Sequence, residues 1–241
     1  MRQIVSAACG LVMGFAAAAP AVAQTGGADP VVVELYTSQG CSSCPPADDL
    51  MGRLAQDGRV IALALHVDYW DYLGWKDAFA RPEFTKRQKA YAKASGSRMI
   101  FTPQIIVAGQ DSVVGTREGE VEAAIRRHAL AAAARGQQVR LTLRREGDVI
   151  HISAEAVPPA DRTFRVQLVR FTPSAEVAIE RGENAGHRLT YHNIVTSWQV
   201  VGDWQATGPL ELAAPAAGAD PAVVIIQADG PGEVMAAAAL R

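Results

Sequence analysis

The chain has 241 residues, enough for one large domain or two ordinary ones. Its 23 Lys and Arg against 25 Asp and Glu leave a net charge of −2, which excludes the basic footprint of a nucleic-acid binder. Hydrophobic residues make up 49%, a globular composition, and three cysteines are too few for a disulfide-rich scaffold.

The chain begins as an export leader does. Arg2 supplies a positive start, Ile4 to Ala19 is apolar and small, and Ala21-Val22-Ala23 is an A-x-A site preceded by Pro20. Residues 1–23 therefore read as a signal peptide cleaved after Ala23. The alternative is an uncleaved anchor, because Ile4 to Ala23 carries no charge and is long enough to span a bilayer. Cleavage removes Cys9 and leaves Cys41 and Cys44 in an oxidising compartment, periplasmic or extracellular. These two cysteines either pair with each other or hold something. After cleavage no stable membrane span remains.

Val31 to Tyr36 is an apolar run that predicts a buried strand. Gly40-Cys41-Ser42-Ser43-Cys44-Pro45-Pro46 follows, and Ala47, Leu50, Met51 and Leu54 then fall at helical spacing up to Gly58. Pro45 and Pro46 suit the first helical turn, where a missing N–H costs little. Two cysteines three apart at a strand-to-helix corner form a redox-capable dithiol. Cys41 meets the open helix end, where unpaired N–H groups and the dipole favour a thiolate, so it is the expected nucleophile. Cys44, one turn inside, is the resolving thiol.

Val60 to Val67 predicts a second strand, near-continuously apolar as a sheet covered on both faces requires. It ends in His66 and Asp68 and leads into an aromatic loop, Asp68 to Trp75. A helix is expected from Pro82 to Ala94, stopped by Gly96. Phe101 to Val107 is a strand with Pro103 near its start, Gly109-Gln110-Asp111 a hairpin turn to Ser112-Val113-Val114, and Glu118 to Arg135 a last helix. From Gln138 onward only strand patterns recur, at Val139 to Arg144, Val149 to Ala154, Phe164 to Phe171, Ala175 to Ile179, Leu189 to Val201 and Val223 to Gln227. The sequence thus predicts an α/β unit over residues 29–136 followed by a small, sandwich-like all-β domain over 138–241, without catalytic groups of its own.

The order strand, helix, strand, helix, hairpin, helix, with CxxC after the first strand and Thr102-Pro103 opening the third, resembles the thioredoxin arrangement over Asp29 to Arg135. In thioredoxin-like proteins a proline in the place of Pro103 is cis and packs beside the dithiol. They also carry a buried acid in the strand before the dithiol as a proton relay. Glu34 is the candidate here, seven residues before Cys41 where six is usual, and an odd shift turns a strand residue to the other face unless a bulge intervenes.

Three further stretches narrow the resemblance: Leu35 to Asp48, His66-Val67-Asp68-Tyr69-Trp70-Asp71, and Arg181-Gly182-Glu183-Asn184-Ala185-Gly186. With these the chain resembles a secreted bacterial family known only as domain-of-unknown-function family 1223. That resemblance implies a thioredoxin-like fold and export, and supplies no reaction.

Three functions fit these residues. The first is thiol–disulfide exchange through Cys41 and Cys44 with protein thiols, protein disulfides or a redox partner protein, needing no cofactor. The second is a copper or zinc carrier ligating through Cys41, Cys44 and His66, although related copper chaperones space their cysteines CxxxC. The third is a binding protein whose Cys41–Cys44 disulfide is structural. The leader makes a direct prediction: the intact mass of the exported protein should correspond to a chain starting at Gln24, and a mass that retains Met1-Arg2 would indicate an anchor instead.

Overall fold

The computed structural model describes residues 21–22 and 30–240; the expected cleavage point after Ala23 lies outside the described residues. Elements run in the order β1 (Ala21–Val22), β2 (Val31–Thr37), α1 (Pro45–Leu54), β3 (Val60–His66), α2 (Pro82–Ala94), β4 (Gln104–Val107), β5 (Asp111–Val114) and α3 (Glu118–Arg135). Strands alone follow: β6 (Val139–Glu146), β7 (Val149–Ala156), β8 (Thr163–Ala178), β9 (Arg188–Gln205), β10 (Leu210–Pro215), β11 (Ala222–Ala228) and β12 (Val234–Leu240). This is a mixed α/β chain with one large sheet and few helices. Among the described residues no helix is long and apolar enough to cross a membrane.

The large sheet has eight strands in the order β12-β11-β8-β9-β3-β2-β4-β5, and β1, β6, β7 and β10 form a second sheet. Every residue of β2 and β3 is buried, which is why both read as unbroken apolar runs rather than alternating ones. Val31, Val33 and Leu35 turn toward α1 and α3, where they meet Leu50, Met51, Val121 and Ala124. Val32 and Tyr36 turn the other way, toward Phe84 and Tyr91 of α2.

The chain changes character near residue 137, yet the sheet runs straight through that point. β3 lies parallel to β9 with Ala64 opposite Ile194. Beside that pair Asn193, at a positive φ of 47°, donates from Nδ2 to the Ala62 carbonyl at 2.9 Å. One buried cluster joins Val32, Ile61, Leu63 and Leu65 from the first half to Val169, Phe171, Val195, Val223 and Ile225 from the second. On the side away from α2, Leu141, Leu143, Ile150 and Ile152 of the smaller sheet pack against Phe164, Val166, Leu168, Val224 and Ile226. Alternate residues of β11 therefore serve two cores.

Glu34 stands at the centre of the join. Arg87 of α2 donates to both of its carboxylate oxygens, Nε to Oε2 at 2.7 Å and Nη2 to Oε1 at 2.8 Å. Tyr91 and Tyr36 hydroxyls donate to it at 2.6 and 3.0 Å. The same guanidinium donates to Gln167 on β8 and Gln227 on β11 and stacks 3.7 Å above the Trp198 ring on β9. The Glu34 side chain is 1% exposed, so removing its cation strands a buried charge, a change that costs about 3–5 kcal/mol. Urea unfolding should show that loss for Arg87→Met, and the double variant Glu34→Gln/Arg87→Met should recover part of it. A single variant within experimental error of the wild type would mean that the pair does not hold the halves together.

Candidate functional site

The corner between β2 and α1 carries the two cysteines, which form a disulfide with Cα atoms 5.4 Å apart. Cys44 is the N-cap of α1, and the first helical turn holds both prolines and an acidic residue, Asp48. Both sulfur-bearing residues are sheltered, Cys41 at 3% exposure and Cys44 at 0%, while Ser42 and Ser43 between them face solvent.

A chain of donors ends on Cys41. The indole Nε1–H of Trp70 donates to Thr102 Oγ1 at 2.7 Å, and the Thr102 hydroxyl donates to Cys41 Sγ at 3.2 Å. The Ser43 hydroxyl lies 3.4 Å from the same sulfur. The Thr102–Pro103 peptide is cis, Pro103 is buried, and its carbonyl accepts from Gly115 N at 2.9 Å. Trp70 belongs to the aromatic loop, so two segments far apart in sequence converge on one sulfur.

A loop of the second half closes the other flank. Asn184, 4% exposed, donates from Nδ2 to the carbonyls of Gln39 and Cys41 at 2.9 and 3.0 Å. The adjacent Glu183 accepts from Ser42 N at 3.3 Å and from Ser42 Oγ at 2.7 Å. The second half, expected to carry no catalytic groups of its own, nevertheless contacts the dithiol loop through a buried amide and an exposed carboxylate. The motif holding them was visible in the sequence, but nothing in a strand-and-loop pattern says which loop reaches which corner.

Behind the dithiol lies a polar cluster drawn from β2, α1, β3 and β9. His66 Nδ1 faces Asp77 Oδ2 at 2.7 Å, and Asp77 also accepts from Gln39 N and Phe79 N, both at 2.8 Å. Within the cluster Thr37 Oγ1, both Asp48 carboxylate oxygens, His66 Nε2 and Tyr191 Oη are buried without a hydrogen-bond partner. Burial pushes the Asp48 carboxyl up to about 7. The nearby His66 opposes this, as does the Thr37 hydroxyl, which faces the carboxylate outside hydrogen-bonding geometry. Tyr191 is raised well above an ordinary phenol by burial and then by Asp48 and Asp77. Asp48 sits next to the apolar face Ala47, Leu50, Met51 and Leu54, and an acid there was the sequence signal for this role.

The other expected residues divide. Pro103 and His66 lie at the dithiol end of the sheet. Glu34 does not: it faces α2, on the side of β2 opposite α1, and its carboxylate is clamped by Arg87. The odd spacing from Cys41 carries no compensating bulge, so the face turns over, and the buried acids at this end are Asp48 of α1 and Asp77. The alternative metal set of Cys41, Cys44 and His66 is not assembled either. The sulfurs are bonded to each other, His66 Nδ1 is engaged by Asp77, and among the described residues no three His, Cys, Asp or Glu side chains converge as metal ligands.

Fold and site together define a mixed α/β protein with a sheltered CxxC disulfide at a helix start, roofed by residues from both halves of the chain. The chain belongs to the family described as protein of unknown function (DUF1223), whose model matches residues 32–227. A crystal structure of the Agrobacterium tumefaciens protein AGR_C_4864 is similar, with 32% identity over 90% of this chain and 96% of that one and a TM-score of 0.76. HBP35 of Porphyromonas gingivalis shares the fold at 10% identity, a TM-score of 0.58, and coverage of 90% of this chain and 76% of that one. No curated protein matches the chain.

The raised Asp48 carboxyl makes a pH prediction. Between its unfolded value of 3.8 and about 7 the folded state binds the proton that the unfolded state has lost, so stability contributed by this site is complete below about pH 4 and is lost as pH rises through 7. Each tenfold step in proton affinity is worth about 1.4 kcal/mol, so the penalty is of order 4 kcal/mol. Relative to Asp48→Asn, the wild type should lose stability over that window in denaturant titrations run at several pH values. Parallel profiles for the two proteins would remove Asp48 from this role.

Proposed function

We propose that this is an exported thioredoxin-like protein that exchanges thiols and disulfides through Cys41 and Cys44. The observation that carries the reading is the Trp70 to Thr102 to Cys41 donor chain; the structure makes Cys44 the N-cap of α1 and leaves Cys41 three residues ahead of it, outside the helix, so this chain, rather than the helix end, singles out Cys41. A donor that is itself polarised by a second donor stabilises a thiolate more than a lone hydroxyl does. The strand order β3-β2-β4-β5, with helices on both faces, supports the thioredoxin-like description of residues 29–136, and the apolar start of the chain supports export.

The exchange balances as follows. A client thiolate attacks Cys41 Sγ, the Cys41–Cys44 bond breaks, and Cys44 leaves as a thiolate while the client is held in a mixed disulfide with Cys41. A second client thiolate then attacks that mixed disulfide on the client sulfur, releasing a client disulfide and the Cys41 thiolate. The reverse sequence reduces a client. Cys44 needs a proton as it leaves, and the protonated Asp48 carboxyl, four residues on and so on the same helical face, is the group of this chain suited to give it. In the opposite direction the Cys44 thiol returns the proton to the same carboxylate.

A second reading, a structural staple, is favoured by the shelter of both cysteines, 3% and 0% exposed. Trapping separates the two. Cys44→Ser should accumulate mixed disulfides through Cys41 in periplasmic extracts, visible on non-reducing gels and identified by mass spectrometry, and Cys41→Ser should accumulate none. If Cys44→Ser traps nothing and Cys41 alkylates with the pH profile of a free thiol, the disulfide is a staple.

A further inference from the structure

The segment Arg181 to Gly186 sits against the dithiol but takes no part in the exchange chemistry above. It is held at three points. Asn184 is buried and donates to the carbonyls of Gln39 and Cys41. Gly182, at φ 79°, lies so close to the aromatic loop that a Cβ would stand 3.2 Å from Trp75 Cβ. Glu183 bonds Ser42 through both the backbone N–H and the hydroxyl. The strap is therefore fixed, and so is the position of its one carboxylate. That carboxylate rests on Ser42, one of the two exposed residues between the cysteines and the one next to Cys41 in the chain. Among the described residues Glu183 forms no ion pair, so its charge is open to whatever approaches.

We propose that Glu183 makes the dithiol selective for thiols by charge, admitting cationic and neutral ones, such as cysteines flanked by Lys or Arg, and disfavouring anionic low-molecular-weight thiols. The inference rests on the exchange reading. The attacking group is already a thiolate, and the effect of any further charge it carries can be scaled by a separation of about 5 Å from the Glu183 carboxylate. Two like charges at that distance in water differ from a neutral pair by roughly fourfold in population, and the opposite sign gains the same factor. At about 1 M salt the screening length falls to about 3 Å and the preference should vanish. A carboxylate that merely braced the loop would give no such dependence on the charge of the attacker.

The test uses the full mature chain in its disulfide form with three small thiols compared at equal thiolate concentration: cysteamine, 2-mercaptoethanol and 3-mercaptopropionate. The readout is the rate of Cys41–Cys44 opening, followed by alkylation and mass, with each rate divided by that of the same thiol on a small uncharged disulfide so that differences in intrinsic nucleophilicity cancel. At low salt the wild type should open roughly threefold to fivefold more slowly with 3-mercaptopropionate than with 2-mercaptoethanol, and faster with cysteamine by a similar factor. Glu183→Gln keeps an acceptor for Ser42 and should bring the three rates together, as should high salt on the wild type, and Glu183→Lys should invert the order. A thermal melt of each variant verifies that the fold is kept. Equal charge preferences in wild type and Glu183→Gln overturn the role of Glu183 while leaving exchange intact. A native disulfide that opens with none of the three thiols overturns the exchange reading itself, and this inference with it.

Discussion

The Glu34–Arg87 pair is the constraint on which the arrangement of this chain depends. Paired charges out of water are tolerated only when nearly every donor and acceptor around them is satisfied. Here satisfaction requires Tyr36 of β2, Tyr91 of α2, Gln167 of β8, Gln227 of β11 and the face of Trp198 on β9 together. No half of the chain can supply that set alone. Whatever apolar burial contributes to joining the two halves, it is non-directional, and the hydrogen-bonded pair selects one register among the many that burial would accept.

That register decides what stands next to the dithiol. With β9 fixed beside β3, α1 packs across the seam, and Gly52 is so close to His192 of β9 that a Cβ would lie 2.7 Å from the imidazole Cδ2. The helix whose start carries the disulfide is thus seated partly on the second half. Tyr191, one residue earlier, contributes its ring to the buried cluster with His66 and Phe79. The turn before β9 brings Asn184 and Glu183 over Cys41 and Ser42. One strand pairing across the boundary near residue 137 therefore furnishes the back wall, the seat and the roof of the site.

Much of this was written in local patterns, and the rest was not. The buried strands β2 and β3, the helices α2 and α3 and the corner at Cys41 announced themselves through apolar runs, helical spacing and proline position, all of which act over a few residues. β12 was missed because Met235 to Leu240 is mostly alanine, a strong helix former by itself, and it is a strand only because β11 offers it an edge with Ala236 opposite Ile226. β10 was missed because its six residues, ending in Ala213-Ala214-Pro215, include no β-branched or aromatic side chain. Phe164 to Phe171 and Ala175 to Ala178 proved to be parts of one strand, β8, because pairing with β9 continues in one register on both sides of Pro173, Thr172 opposite Ile194 and Ser174 opposite His192. Asp77 and Tyr191, which act through long-range contacts, left no local signal, and Glu183 and Asn184 stood in a visible motif that no local pattern could place. Glu34 and Asp48 left one each, a wrong spacing and an acid beside an apolar face, and both pointed away from the simpler assignment.

The pairing of Ala64 with Ile194 also sets an order of events. About 130 residues separate the two, and contacts of that span form late because a long loop must be closed before they return anything. A chain emerging from its amino end completes β2, α1 and β3 while β9 does not yet exist, so the corner bearing Cys41 and Cys44 spends that interval without its roof and with the far side of β3 uncovered. Until the carboxyl-terminal strands arrive, Cys41 and Cys44 stand in an open turn, and once they are seated Asn184 and Glu183 bind the loop that carries the two sulfurs. The corner is thus built twice, first by nearness along the chain and then like an arch closed by a stone set from its far end.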